Sequence, residues 1–131
     1  MTHTRTELRA LLDEHGLTPS RALGQNFVVD PNTVRRIARL ADVGAGDLVL
    51  EIGAGLGSLT LALVETGAEV HAMEVDRFLL GPLRSVVEPH GVTVHHADAL
   101  SADYAAILNG RDAVVVANLP YNCLLYTSRC V

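Results

Sequence analysis

Glu51-Ile52-Gly53-Ala54-Gly55-Leu56-Gly57-Ser58-Leu59-Thr60 stands between two apolar runs, Leu48-Val49-Leu50 before it and residues 59–64 after it. The order is strand, glycine turn, helix, which is how a nucleotide-type site is built in an open α/β sheet. Glycines let the backbone turn sharply and let a ligand approach the main chain. The new helix N-terminus offers free N–H groups at the same point. A dinucleotide fingerprint, G-x-G-x-x-G, would need its third glycine at position 58, where the chain has Ser58. The pattern is instead acidic-x-G-x-G-x-G. Taken alone, the same stretch also reads as a tight connection, so the residues around it must decide.

The chain has 131 residues, enough for one domain with a real core. Hydrophobic residues make up 49 %, which argues against disorder. No apolar run approaches the ~20 residues of a membrane helix, and Met1-Thr2-His3-Thr4-Arg5-Thr6-Glu7 has no apolar signal core, so the expectation is a cytoplasmic protein. Cys123 and Cys130 form no C-x-x-C motif and imply no disulfide framework. Net charge is −5, unevenly spread. Residues 1–39 hold six arginines against four acids, and the remainder four arginines against eleven acids. Nucleic-acid affinity rests mostly on cationic contacts to phosphates. By charge this chain is a poor RNA binder, and any RNA contact favours its N-terminal part. Arg35, Arg36 and Arg39 by themselves read as a solvated helix face.

Leu8, Leu11 and Leu12 predict an amphipathic helix over 5–15, closed by His15-Gly16. Arg21 to Val29 has little periodicity. Asp30-Pro31 is a helix start, with Asp as cap and Pro in the first turn. Val34, Ile37, Ala38 and Ala41 line one face of that helix, and Gly44 and Gly46 are expected to close it. The chain then alternates. Strands are expected at 48–52, 69–73, 92–95 and 113–117, and helices at 59–66, 78–87 and 103–108, with Gly81-Pro82 distorting the middle helix. Alternation implies a parallel sheet with right-handed crossovers, an α/β Rossmann-like fold. The all-apolar fourth strand suits one covered on both faces.

Ligands in such sheets bind at the carboxyl ends of the strands. Each strand here delivers a polar group to that rim: the glycine turn at Gly53, then Glu74, Asp98, and Asn118-Leu119-Pro120-Tyr121. Glu74 lies ~20 residues past the turn, where an acid accepts hydrogen bonds from a ribose diol. Asp98 can accept from an exocyclic amine such as adenine N6. Together they describe an adenosine site without a pyrophosphate cradle, which is what S-adenosylmethionine requires. A nucleobase amine is a poor nucleophile because its lone pair is delocalised into the ring. Acceptors on its N–H groups, the Asn118 side-chain oxygen and the Leu119 carbonyl, would localise that lone pair. Pro120 would keep the turn rigid and Tyr121 would stack on the base. Catalysis would be positioning plus charge complementarity. A proline turn with a core tyrosine is the plainer alternative.

Leu23-Gly24-Gln25-Asn26-Phe27, the glycine stretch, Glu74-Val75-Asp76, Asp98-Ala99-Leu100 and Asn118-Leu119-Pro120-Tyr121-Asn122 follow one another in the order of one family. The chain resembles the ribosomal RNA adenine dimethyltransferases, which convert two adjacent adenosines of small-subunit rRNA to N6,N6-dimethyladenosine. The likeness runs from about residue 5 to Asn122, and Leu-Gly-Gln-Asn-Phe is more similar to this branch than to the macrolide-resistance 23S rRNA methylases. The resemblance implies that Gln25, Asn26 and Val28 lie over the methionine end of S-adenosylmethionine, with Gly53 and Gly55 facing its amino-acid and ribose portions. It implies that Glu74 holds the ribose and Asp98 the adenine. Asn118, with Leu119, would take the target amine, and Tyr121 the base. The partner it implies is small-subunit rRNA in an immature 30S subunit, met by a monomer that needs neither membrane nor metal. Where Val28 stands the family usually has an aliphatic residue, often Leu, so the departure is mild.

The resemblance divides the chain into a helical arm over 1–46, a partial cofactor-binding domain over 47–122 and a tail over 123–131. That tail, from Cys123 to Val131, departs from the family's continuation. The expectation is a truncated reading frame whose sheet ends at the fourth strand, leaving Val114-Val115-Val116 as an open apolar edge, and weak or absent methyl transfer. Rival readings are a 23S rRNA or DNA adenine methylase, a non-catalytic nucleic-acid module on the same fold, and an NAD-dependent oxidoreductase, which Ser58 opposes. His95 and His96 point to opposite strand faces and so cannot chelate one ion together. His71 reads as a packed or half-exposed histidine.

Overall fold

The computed structural model describes residues 5–15, 30–117 and 129–130. Its helices are α1 (Arg5–Glu14), α2 (Pro31–Ala41), α3 (Ser58–Glu65), α4 (Arg77–Val87) and the short α5 (Tyr104–Leu108). Its strands are β1 (Leu48–Ile52), β2 (Glu69–Glu74), β3 (Thr93–His96), β4 (Val114–Ala117) and β5 (Arg129–Cys130). The sheet order is β3-β2-β1-β4-β5, and every pairing is parallel. All strand carboxyl ends therefore share one rim. The alternating α/β reading and the Rossmann-like class hold, with element ends within a residue or two of those expected.

The two faces of the sheet are covered by different elements. Val49, Val70, Ala72, Val94, Val114 and Val116 pack with α2, α3 and α4. Leu48, Leu50, Ile52, Met73 and Val115 pack with Leu108 and its neighbours on α5. Successive strand residues alternate between the two sets, as pleating requires. This is why β1, with five residues all buried, reads as one continuous apolar run broken only by Glu51.

Caps fix where helices start. Asp30 accepts hydrogen bonds from Asn32 N–H (3.0 Å) and Thr33 Oγ1 (3.0 Å). Asp76 accepts from Phe78 N–H (2.9 Å) and starts α4, while Asp103 accepts from Ala106 N–H (3.1 Å) and starts α5.

Three expectations need correction. The helix begun at Pro31 is closed by Asp42 in the left-handed conformation (φ 53°), not by Gly44 or Gly46, because a short polar side chain tolerates that region. Gly44 instead donates its N–H to Asp47 (2.9 Å) in the turn into β1. Helix α4 runs unbroken through Gly81-Pro82; the proline removes one rung of the ladder without ending the helix. The outer edge of β4 is not bare, since Arg129–Cys130 pairs with Val114 and Val115. Two residues of tail are enough to continue the ladder where the apolar run would otherwise present its polar backbone.

The histidines separate as strand geometry demands. His96 Nε2 lies 3.1 Å from the Val75 carbonyl. His95 faces the other way and stacks on His71, ring centroids 5.2 Å apart, with His71 Nδ1 and His95 Nε2 at 2.9 Å. His71 is buried, and its Nε2 meets Glu69 at 2.9 Å. Burial and the neighbouring His71 and Arg84 push His95 below the usual histidine range. Among the described residues, no group of three or more His, Cys, Asp or Glu is placed to hold a metal ion, and no helix is long and apolar enough to cross a membrane.

Gly57 is a glycine that the packing constrains tightly. Its φ is 92°, and a Cβ there would sit 2.8 Å from Val87 Cγ1 on α4. Gly57→Ala combines left-handed strain with overpacking and should cost roughly 2–4 kcal/mol. Chemical denaturation of the variant beside the parent chain measures it; a cost near zero would mean that α4 does not close on the turn.

Candidate functional site

The glycine turn lies at the carboxyl end of β1 and is stitched to the end of β2. Gly53 and Ala54 both donate their N–H groups to the Met73 carbonyl at 3.0 Å. Gly57 N–H donates to Ala54 O at 3.0 Å, which closes the turn. Helix α3 then begins, and the first N–H to pair back along it belongs to Leu61, which donates to Gly57 O at 2.9 Å. Its leading N–H groups thus lie ahead of the helix's own ladder, at the rim. Ser58, its first residue, has a buried hydroxyl with no hydrogen-bond partner among the described residues. The sequence reading treated Ser58 only as a missing glycine.

Glu74 is the last residue of β2 and is buried. Its Oε1 accepts from Gly55 N–H at 2.7 Å and its Oε2 from Asp76 N–H at 3.0 Å. The carboxylate expected to receive a ribose therefore also clamps the glycine turn. A carboxylate has about four lone-pair sites, so two hydrogen bonds leave acceptor capacity.

Asp98 follows β3 in an exposed loop, where Oδ1 accepts from Leu100 N–H at 2.9 Å. Among the described residues no partner is recorded for its Oδ2. Tyr104 braces this loop by donating its hydroxyl to Ala99 O at 2.5 Å, and burial together with nearby Asp98 raises its pKa. Two apolar residues beside these acids stand in solvent: Val75 is 59 % exposed and Leu100 92 %. A sequence signal for them existed, since Val75 directly follows Glu74 and Leu100 lies two residues past Asp98, but their exposure is a property of the fold.

Gly53, Gly55, Glu74 and Asp98 thus share one rim. Gln25, Asn26, Val28, Asn118, Leu119, Pro120 and Tyr121 lie outside the described residues; Asn118 directly follows the last residue of β4 in the chain. A cavity of about 680 Å³ lies at the opposite end of the strands, lined by Asp47, Glu69, Arg111 and Asp112 among others, and contains none of the read site residues.

Glu51 is the group whose chemistry the fold alters most. It is 1 % exposed at the base of the turn, and Thr60 of α3 donates its hydroxyl to Glu51 Oε1. Burial pushes its carboxyl up to about 8, with the Thr60 hydrogen bond opposing and the Glu74 charge adding to the rise.

Residues 17–125 match the family described as ribosomal RNA adenine dimethylase. The chain belongs to that family. It is 50 % identical over 121 residues to ribosomal RNA small subunit methyltransferase A of Phenylobacterium zucineum, covering 91 % of this chain and 42 % of that one. The chain therefore spans about two fifths of that relative's length. Among solved structures, the 23S rRNA methyltransferase ErmE matches with a TM-score of 0.64 and 32 % identity over 72 % of this chain and 38 % of that one. An RNA methyltransferase from Salinibacter ruber, solved with S-adenosyl-L-homocysteine, matches at 0.59 and 26 % over 72 % of this chain and 62 % of that one. These neighbours share the Rossmann-like methyltransferase fold.

The raised Glu51 pKa makes a sign-definite prediction. The native state keeps a proton that the unfolded chain loses, so this contribution is full below pH 4.5 and is lost as pH rises toward about 8. Glu51→Gln should remove that dependence. The difference between variant and parent stability should grow over this interval by a few kcal/mol, an order-of-magnitude figure at ~1.4 kcal/mol per pKa unit. Denaturant melts at a series of pH values measure it. Parallel curves would show that Glu51 is ionised in the native state.

Proposed function

We propose that this chain carries the cofactor half of an S-adenosylmethionine-dependent methyltransferase that dimethylates N6 of two adjacent adenosines in small-subunit (16S) rRNA. The observation that carries the reading is the rim itself. The glycine turn, a buried Glu74 bonded to Gly55 N–H at 2.7 Å, and Asp98 all stand at the carboxyl ends of adjacent parallel strands.

The residues fit the cofactor. Glu74 keeps acceptor capacity for a ribose diol, and Asp98 Oδ2, without a partner among the described residues, suits an exocyclic amine. Val75 and Leu100 offer exposed apolar surface of the kind an adenine ring covers. The turn lacks the glycine at position 58 that a dinucleotide fingerprint would use beside a pyrophosphate. Ser58, with its unpartnered hydroxyl at the start of α3, adds a polar group at the turn. When bound, S-adenosylmethionine supplies an electrophilic methyl group on a sulfonium. Glu74 and Asp98 would hold the adenosine portion, and Gln25, Asn26 and Val28 would lie over the methionine end. Asn118 and Leu119 accept from the target amine and direct its lone pair, Pro120 holds their turn, and Tyr121 stacks on the target base. Orientation, not general-base catalysis, lowers the barrier in this reading.

The small-subunit substrate is favoured over a 23S target because a small-subunit methyltransferase is 50 % identical, whereas the 23S enzyme ErmE is 32 % identical. The same reading places the chain in the cytoplasm as a monomer acting on immature 30S subunits, with no resident metal. Its parts are an arm to residue 46, the cofactor domain over 47–122 and a tail beyond.

Calorimetric titration with S-adenosylmethionine tests it. Saturable binding is expected, and Asp98→Ala should weaken it about ten-fold or more, the scale of one lost hydrogen bond to a polar ligand group. Absence of binding by a chain that melts cooperatively, or identical binding by the variant, would overturn the assignment.

A further inference from the structure

Glu51 is the most deeply buried ionisable group among the described residues, and the proposed function gives it no task. It sits on β1 between Ala72 of β2 and Val116 of β4 in register. Helix α3 turns Thr60 toward it, and Thr60 is fully buried. From α2 and α4 the same side of the sheet receives Val34, Ala38, Leu83 and Val87, all apolar. Among the described residues, the charge that acts on it is that of Glu74, which is of like sign. Among the described residues, no arginine or histidine compensates it. Glu74 already spends both oxygens on backbone N–H groups, so of the two carboxyls at the turn Glu51 is the one placed to hold a proton.

We infer that Glu51 makes cofactor binding proton-coupled: the free chain holds Glu51 as the neutral acid, and a cationic ligand entering the glycine turn drives its ionisation, releasing one proton to solvent. The inference rests on the S-adenosylmethionine reading and deepens it. A buried carboxylate is costly unless paired. Among the described residues the free site provides one hydroxyl and no cation, and the cofactor's ammonium and sulfonium exceed its carboxylate by one positive charge. The balance is simple: the carboxyl O–H breaks, the proton passes to buffer, and the carboxylate's charge would be offset by the net positive charge of the ligand. The site is thereby spared an uncompensated negative charge when empty and gains one when a cation arrives. Affinity then rises with pH, by up to about tenfold per unit over the range in which the bound form is ionised and the free form is not. Thr60 acts as a positioning residue, since its hydroxyl favours the ionised form and sets where that range lies.

The test is calorimetric titration of the chain with S-adenosylmethionine near neutral pH in buffers of different ionisation enthalpy. The observed heat should vary with the buffer by close to one proton released per ligand. Glu51→Gln should bind with buffer-independent heat. 5′-Methylthioadenosine, which keeps the adenosine but lacks the ammonium and sulfonium, should release no proton from the unaltered chain. Thr60→Val should move the rise of affinity to higher pH. In the ligand-free chain, carbon-13 NMR of glutamate carboxyls should show Glu51 titrating well above the others, a readout independent of any ligand. S-adenosylmethionine binding with buffer-independent heat, or undiminished proton release in Glu51→Gln, would overturn the inference alone. Failure of S-adenosylmethionine to bind at all would overturn the functional reading and this one with it.

Discussion

The hydrogen bond from Gly55 N–H to the Glu74 carboxylate ties the site to the sheet. It joins the turn after β1 to the last residue of β2 across 19 positions of sequence, in a buried setting where an unmade bond would be expensive. The turn cannot open without stranding a carboxylate, and β2 cannot slip in register without moving that carboxylate away. A one-residue slip would also exchange the faces of Val70, Ala72 and Glu74 with those of His71 and Met73. Register, burial of the sheet and the shape of the rim are therefore one constraint.

That constraint explains why much of the fold was legible in the sequence. A parallel strand covered on both faces must be apolar throughout, so β1 and β4 announce themselves. The rim was legible for a related reason: in a parallel sheet every strand delivers its carboxyl end to the same side, so strand positions alone place Gly53, Glu74 and Asp98 together. The helix start at Asp30 was legible because Asp precedes Pro31, whereas Asp76 and Asp103 show themselves as caps only once the helices they start are seen. Helix ends were less so. Asp42 takes the left-handed cap that two nearby glycines advertised, because both residue types are compatible with that conformation and only packing chooses between them.

What sequence could not give was pairing between distant residues. Nothing in local pattern joins Glu51 to Thr60, because a polar side chain on a buried strand reads as an anomaly until a helix residue nine positions later supplies the hydroxyl. The stacked pair His71 and His95 depends on the register of β2 against β3, which sets Met73 opposite His95 and His71 opposite Thr93. The fifth strand is a two-residue pairing with no periodicity to detect. The apolar Val75 and Leu100 were visible as residues, but their exposure beside acids becomes meaningful only once the strand ends are known.

Three glutamates on two neighbouring strands show how far environment governs a single residue type. Glu69, half-exposed at the amino end of β2, meets Arg111 through two contacts (3.0 and 2.9 Å) and His71 through a third. Hydrogen bonds from Arg111 and then His71 lower its pKa to about 2. It favours the native state above pH 4.5, and that contribution fades as pH falls toward the native value. It remains modest because solvent screens the pair. Glu74 is buried but satisfied by two backbone N–H groups, and serves as a fixed acceptor. Glu51 is buried with one hydroxyl and a like charge nearby, and the same carboxyl is driven the other way. The exposed end of the sheet thus uses ionised glutamate for structure, while the ligand rim places one glutamate where ionisation depends on what occupies the site. The sign of each effect follows from what stands within hydrogen-bond reach, and that is set by the register of β1 against β2 and by the single turn of helix that brings Thr60 over the sheet.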